Sequence, residues 1–365
     1  MSDGIVSILA AAYYLPLGKY AALPGHLLLL IYEFCCRLTL RLPGSRNILG
    51  KPQMWQVVVF GMIICGVICC SRKWCRMRFW LWIVLAVCCL TLRGQDGLEI
   101  TFLDVGQGDG IYIADDKNGC YFIDGGSSDK SNVGDYQILP FLKARGTDRL
   151  HAIFITHMDS DHYNGMQALI EEAQSSGVMI DNLFLPDIGE KSRSDAYREL
   201  VALATEQGIA VHYIHKGETL RHGKLQLTCL YPQEGAEGET NALSLVLYLE
   251  YEAFSALFTG DLEGNGEETV RKQLEERCGG QGIFLLKVAH HGSRYSTGEA
   301  FLKTAMPQIA VICAGQGNQY GHPHEELLER LLRVTRYVYQ TKDGGAITFY
   351  YRRGRIMAEE FLGER

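Results

Sequence analysis

The sequence predicts an α/β layered domain preceded by a short apolar helical region. Three observations carry that reading. Composition changes abruptly near residue 95, strand and helix patterns alternate from there almost to the end, and metal-ligand residue types stand where apolar strands stop. At 365 residues the chain has room for one large or two ordinary domains. The break divides it into an apolar region, 1–95, and a polar domain, 96–365.

Charge and cysteine both follow that break. Residues 1–95 carry ten Lys/Arg and two Asp/Glu, a balance of +8, whereas 96–365 carry 25 and 40, a balance of −15. So acidic a domain weighs against broad, sequence-blind nucleic-acid binding, which needs a basic surface. Eight of the 12 cysteines lie in the first part among apolar neighbours, as small buried hydrophobes do. Cys120, Cys229, Cys278 and Cys313 are far apart and make no disulfide framework.

In chain order, residues 27–42 mix apolar side chains with Glu33, Arg37 and Arg41 and read as an amphipathic helix on a membrane surface, stopped by Pro43-Gly44-Ser45. Residues 54–70 and 79–92 are apolar without a polar face, so they read as a membrane hairpin. The connection 71–78 holds Arg72, Lys73, Arg76 and Arg78, which places it in the cytoplasm and the following domain outside. Strands are expected near 98–103, 111–114, 120–123, 152–155, 210–214, 224–230, 244–251, 256–259, 284–289, 309–314 and 346–351. Helices are expected near 165–173, 195–207 (capped by Ser194), 266–277 and 325–332.

The chain is organised around Thr156-His157-Met158-Asp159-Ser160-Asp161-His162, which follows the buried-strand pattern of 152–155. Four ligand-type groups within six residues suit a pair of divalent ions, such as manganese or zinc, better than one closed structural zinc. Three further stretches end strands in the same manner. In Thr259-Gly260-Asp261 the glycine permits a sharp turn and Asp261 is placed to bridge two ions. In Lys287-Val288-Ala289-His290-His291-Gly292-Ser293 adjacent histidines point different ways, so one of the two is expected to ligate. Gly321-His322-Pro323-His324 offers histidines to a substrate phosphate or leaving group. Asp104, Gln107, Asp109 and Asp124 also stand at strand ends, and Asp124 is the candidate to hold a ligating imidazole through its second nitrogen. Two such ions activate a water and clamp the attacking and leaving oxygens of a phosphodiester. Gly106-Gln107-Gly108 lacks the lysine and serine of a phosphate-binding P-loop.

These motifs, with Ile123-Asp124-Gly125-Gly126, Asn241-Ala242-Leu243-Ser244 and Thr341-Lys342-Asp343-Gly344-Gly345, resemble in order and spacing the C-terminal part of ComEC/Rec2-type competence proteins over residues 98–350. Residues 1–97 resemble the end of that family's transmembrane region more loosely. The resemblance implies a metallo-β-lactamase-like four-layer αβ/βα sandwich with metals at one edge, and a multi-pass protein of the cell membrane whose hydrolase domain is extracytoplasmic. It implies a nuclease that degrades one DNA strand during DNA uptake, with single-stranded DNA and other channel subunits as partners. His157, Asp159, Asp161, His162, Asp261 and His290 would be its metal residues, with Asp161 also catalytic, Lys287 or His322 steadying phosphate, and His291 an alternative ligand. Asp159 stands where the superfamily has histidine, and Asn241 is the nearest counterpart of another. Full-length family members carry an N-terminal extracytoplasmic domain and more helices, so a truncated or separately encoded fragment is expected. Two other readings remain open: a hydrolase of a small or cell-envelope phosphodiester, and a non-catalytic, membrane-anchored DNA-binding module.

Overall fold

The computed structural model describes residues 15–40, 48–70, 76–92, 94 and 96–363. The stop signal at 43–45 and the loop residues Arg72 and Lys73, on which the expected sidedness rests, lie outside the described residues. The chain divides into two compact units, Met1–Ile48 and Leu49–Arg365.

The first unit holds α1 (Leu15–Leu40), with Pro24 inside it. This helix begins earlier than the amphipathic segment expected at 27–42, and its window Ala22–Thr39 is long and apolar enough, by length and composition, to cross a membrane. Glu33 and Arg37, one turn apart, pair at 2.5 Å, so these two charges offset each other on a mostly apolar helix.

The second unit opens with an antiparallel pair, α2 (Met54–Cys70) and α3 (Arg76–Thr91). Both are shorter than α1, and almost every side chain is apolar. Buried Gln56, in the first turn of α2, donates Nε2 to the carbonyls of Cys89 (3.0 Å) and Leu92 (2.8 Å). It thereby satisfies orphan acceptors at the end of α3 and ties the two helices at that end.

The layered domain follows. Its first half runs β1 (Leu98–Phe102), β2 (Ile111–Ala114), β3 (Cys120–Ile123), α4 (Leu139–Arg145), β4 (Ala152–Phe154), α5 (Ser160–Glu171), β5 (Asn182–Pro186), α6 (Asp195–Glu206) and β6 (Ala210–Ile214). The second runs β7 (Thr219–His222), β8 (Leu225–Tyr231), β9 (Val246–Tyr251), β10 (Phe254–Phe258), α7 (Asn265–Cys278), β11 (Leu285–Lys287), α8 (Glu299–Ala305), β12 (Ile309–Ile312), α9 (Glu325–Val334), β13 (Tyr337–Gln340), β14 (Ile347–Arg352) and β15 (Arg355–Glu360). One eight-stranded sheet has the order β15-β14-β1-β2-β3-β4-β5-β6, and a seven-stranded sheet the order β13-β12-β11-β10-β9-β8-β7.

Period-two patterning decides how the sheets stack. Leu98, Ile100 and Phe102 of β1 meet Leu227, Leu247, Leu249, Phe258 and Val311 of the second sheet in one core cluster between the sheets. The alternate residues of the second sheet, Val246, Tyr248, Leu257, Leu286, Ala310 and Ile312, form another cluster with Val270 and Leu274 of α7, Phe301 and Leu302 of α8, and Leu327 and Leu331 of α9. Strands buried on both faces explain why these segments read as continuous apolar runs. On the first sheet, α5 and α6 bury Met166, Leu169, Ile170, Leu200 and Ala204. The result is helix, sheet, sheet, helix, as the motifs implied.

Candidate metal centre

The site forms where β3 and β4 of one sheet and β10 and β11 of the other come to an end. After β4 the backbone passes through Thr156 and His157 and enters α5 with Asp159 as its N-cap residue, extended at φ −82°, ψ 144°. The helix therefore starts five residues earlier than expected, at Ser160. That start places Asp161 and His162 in the first turn, where their side chains face the sheet end.

Asp124, fully buried after β3, fixes this loop. Its carboxylate accepts from Thr156 N (2.7 Å) and Thr156 Oγ1 (2.8 Å), and lies 2.9 Å from His162 Nδ1. This carboxylate–imidazole contact leaves His162 Nε2 as the free donor, as the sequence suggested for Asp124. Nε2 of His162 stands 3.3 Å from Asp261 Oδ1. The rings of His157 and His162 lie 4.0 Å apart between centroids.

The second sheet supplies the opposite wall. Gly260, at φ +52°, makes the turn that brings Asp261 in, and a Cβ there would meet the Thr156 side chain at 2.8 Å. Beyond β11 the loop turns through three left-handed residues: His290 (φ 48°), His291 (φ 50°) and Gly292 (φ 89°). Left-handed backbone costs roughly 1 kcal/mol or more at each non-glycine residue. Here it sends the two rings to different places. His291 is 1% exposed; its Nδ1 contacts the Cys313 carbonyl at 2.9 Å, and its Nε2 lies 3.4 Å from both Asp161 Oδ2 and Asp261 Oδ2. His290 stays partly exposed, bound at Nδ1 to Glu263 (2.6 Å), with Nε2 3.8 Å from Asp261.

Among the described residues, four sets of side chains offer ligand atoms within 4.8 Å of one another: His157, His162 and Asp261; Asp161, His162 and His291; Asp109, Asp261 and His291; Asp109, Asp124 and His162. The Nε2 atoms of His157, His162 and His291 and Oδ1 of Asp261 are buried, with no hydrogen-bond partner among the described residues. Orphaned donors of this kind are costly unless something coordinates them. Charge points the same way. Burial disfavours the cation on His291, yet Asp261, Asp109 and Asp161 together raise it to about 10. His162 is likewise raised well above the ordinary histidine value against burial, by Asp261 and Asp124. Burial, with His162 adding to it, holds His157 well below that value. The carboxylates thus call for positive charge at nitrogens that are themselves good metal ligands, and the donor set fits divalent ions.

The other expected site residues divide. Asp159 brings Oδ2 to 3.7 Å from His157 Nε2 but is half exposed at the mouth. His322 lines the rim, with its ring centroid 5.6 Å from that of His290 and 6.3 Å from that of His291. Burial, then His291 and His290, lower it to about 4, so it is a neutral imidazole rather than a cation for phosphate. Lys287 is fully buried, in direct contact with Asp109, 3.6 Å from Asp261 and donating to the Gly260 carbonyl at 3.0 Å. It faces the ligand carboxylates from inside the fold and does not reach a substrate. Asp104 pairs with Lys130 at 3.1 Å and joins none of the ligand sets among the described residues, and Asn241 sits in the short turn Asn241–Leu243. Thr156, part of the motif but given no role from the sequence, lies 3.5 Å from His162 Nδ1, and Glu263, which holds His290, carries no signal beyond lying two residues after Asp261.

With this geometry in hand, comparison with known proteins is informative. Residues 103–316 match the metallo-beta-lactamase superfamily. The chain is 31% identical over 304 residues to ComE operon protein 3 of Bacillus subtilis, covering 80% of this chain and 36% of that protein. It is 26% identical over 262 residues to Recombination protein 2 of Haemophilus influenzae, covering 72% of this chain and 30% of that one. These are ComEC/Rec2-type proteins, and the resemblance read from the motifs holds. The chain spans about a third of the length of these curated relatives. Among solved structures, the metallo-beta-lactamase fold protein YhfI from Bacillus subtilis aligns with a TM-score of 0.46 at 13% identity, covering 72% of this chain and 100% of that one.

Proposed function

This chain belongs to the metallo-beta-lactamase superfamily, and from that premise we propose that it is a metal-dependent phosphodiesterase that cleaves single-stranded DNA at a membrane. The observation that carries the reading is the convergence of buried, unpartnered ligand atoms from His157, His162, His291 and Asp261 on one sheet edge. Together with Asp161, these residues would hold two divalent ions, manganese or zinc; Asp261 belongs to more than one of the ligand sets. Bound ions would supply Lewis acidity to the phosphoryl oxygens and a nucleophile at neutral pH. Asp124 and the Cys313 carbonyl orient His162 and His291. Lys287 offsets the charge of Asp109 and Asp261. Neutral His322, on the rim, is placed to move a proton at the leaving oxygen.

The names of the competence relatives support DNA as the substrate. Residues 96–365 are the hydrolase domain in this reading, and 1–95 anchor it in the cell membrane, with the domain on the outer side. The test is manganese- or zinc-dependent cleavage of single-stranded DNA by the purified full chain in detergent. Cleavage should vanish on chelation and in Asp161→Ala/His162→Ala. Activity surviving that double substitution overturns the reading. Turnover of a chromogenic diester without any cleavage of DNA would instead support a small-diester hydrolase, which the acidic domain, at −15, favours.

A further inference from the structure

The acidic domain has a basic corner where the apolar pair joins it. Both connections arrive there. Lys51, just before α2, donates its backbone N–H to the Ala144 carbonyl at the end of α4 (2.7 Å). The chain leaving α3 reaches Gly97, which packs so closely on β14 that a Cβ would lie 2.2 Å from the Tyr351 carbonyl and 3.0 Å from Arg352 Cγ. Arg145 ties the two attachments together, 2.8 Å from Glu99 on β1 and 3.5 Å from the Tyr350 hydroxyl on β14. Beside them protrudes the β14–β15 turn, Arg352-Arg353-Gly354-Arg355, with all four residues exposed.

Arg352, Arg353 and Arg355 make no ion pair among the described residues, although the domain is rich in carboxylates. Arg353 holds φ +50°, a left-handed position in a two-residue hairpin turn that asparagine or glycine occupies at less cost. The outer strand continues the polarity: exposed Met357 follows the arginines, and Glu359 and Glu360 stand at the far end. Charge is therefore graded away from the corner from which α2 and α3 extend.

We propose that this hairpin tip binds anionic phospholipid headgroups on the face where α2 and α3 leave the domain. Arg352, Arg353 and Arg355 would take the phosphates and Met357 the edge of the acyl layer. The proposal rests on reading α2 and α3 as a membrane pair. Its chemistry is that of a juxtamembrane basic cluster, whose cations are drawn to an anionic lipid surface. Docking this corner would fix the catalytic domain's tilt on the bilayer.

The full chain is reconstituted in nanodiscs of phosphatidylcholine, with or without phosphatidylglycerol, carrying a photoreactive phenylalanine at position 357 or, as control, at position 58 of α2. Position 58 should label lipid in both discs. Position 357 should label phosphatidylglycerol discs at least about fivefold more. Arg352→Gln/Arg353→Gln/Arg355→Gln should erase that preference, and the corresponding triple Arg→Lys variant should restore it. Labelling at 58 alone overturns this proposal and leaves the membrane reading standing; labelling at neither overturns both. If the glutamine variant keeps its lipid labelling but loses affinity for single-stranded DNA, the tip serves nucleic acid and the proposal fails.

Discussion

The two loops that build the candidate metal centre carry the same residue types and are held in opposite ways. The first, Thr156 to His162, passes from an extended strand into the first turn of a helix, and regular geometry alone turns His157, Asp161 and His162 inward. The second, after β11, reaches the site by irregular backbone: two left-handed histidines and a left-handed glycine swing His291 in and leave His290 at the rim. The first loop is braced by one buried carboxylate, Asp124. The second is braced from several sides: Cys313 holds His291, Thr297 Oγ1 accepts from Ala289 N (3.2 Å), and Glu267 accepts from Gly298 N (2.8 Å). Position in a regular element can be inferred from spacing, whereas a strained turn needs its supports to be seen.

If the second loop depends on its supports, the largest effect should come from its buried lysine. Lys287→Met leaves Asp109 buried without its cation, and we expect a loss of about 3–5 kcal/mol in urea unfolding. Burial opposes the charge on Asp109, but Lys287, then His291, hold its carboxyl well below the usual range. The pair's stabilisation is therefore present above the unfolded-state value of 3.8 and is lost as pH falls below it. An unchanged acid-unfolding profile in Lys287→Met would contradict that.

Next in size is the contrast between the two histidines. His291→Ala should lower diester cleavage more than about 100-fold, beyond what loss of an outer-shell partner costs, and His290→Ala about tenfold or less. Equal losses would mean that the turn does not sort them. On the first loop, Asp124→Asn should weaken metal affinity about 10–100-fold while folding is retained, as titration with manganese would show.

The smallest expected effect is at Glu267. Burial raises its carboxyl above the ordinary value against hydrogen bonds from Gly298 and Thr297. Glu267→Gln keeps an acceptor for Gly298 and removes a charge that is costly to bury, so it should change stability by less than about 1 kcal/mol. The sign follows from linkage. A raised carboxyl makes the folded state hold its proton more tightly, so the wild type loses stability as pH rises from 4.5 through the folded-state value. The variant should gain on the wild type over that interval and match it more closely below pH 4.5. A melting curve at several pH values checks this.

Much of the fold was legible because strand-type residue runs and helix caps leave their mark in the sequence. The strand at Ala210–Ile214 and the helix from Asp195, whose Ser194 Oγ accepts from Tyr197 N at 3.2 Å, stand where the pattern put them. The edge strands β7 (Thr219–His222), β13 (Tyr337–Gln340) and β15 (Arg355–Glu360) were missed, since half-solvated edges carry polar and charged residues and little apolar alternation; the interior strand β5 (Asn182–Pro186) was missed as well, a short run that ends in proline. In the site, the gathering of ligand-type residues and the contact of Asp124 with a histidine could be read from the motifs. Lys287 could not: a lysine at a strand end looks like a substrate contact, and only packing shows it fully buried against Asp109. The resemblance put His290 among the metal residues and His291 as the alternative, whereas the geometry brings His291 into the candidate ligand sets, an outcome that depends on left-handed backbone.

The central claim is that His291, with His157, Asp161, His162 and Asp261, makes a two-ion centre. Elemental analysis of the purified full chain after saturation with manganese tests it most directly. We expect two ions per chain in the wild type and in His290→Ala, and fewer in His291→Ala. Less than one ion per wild-type chain, or a loss in His290→Ala that His291→Ala does not show, would contradict the account.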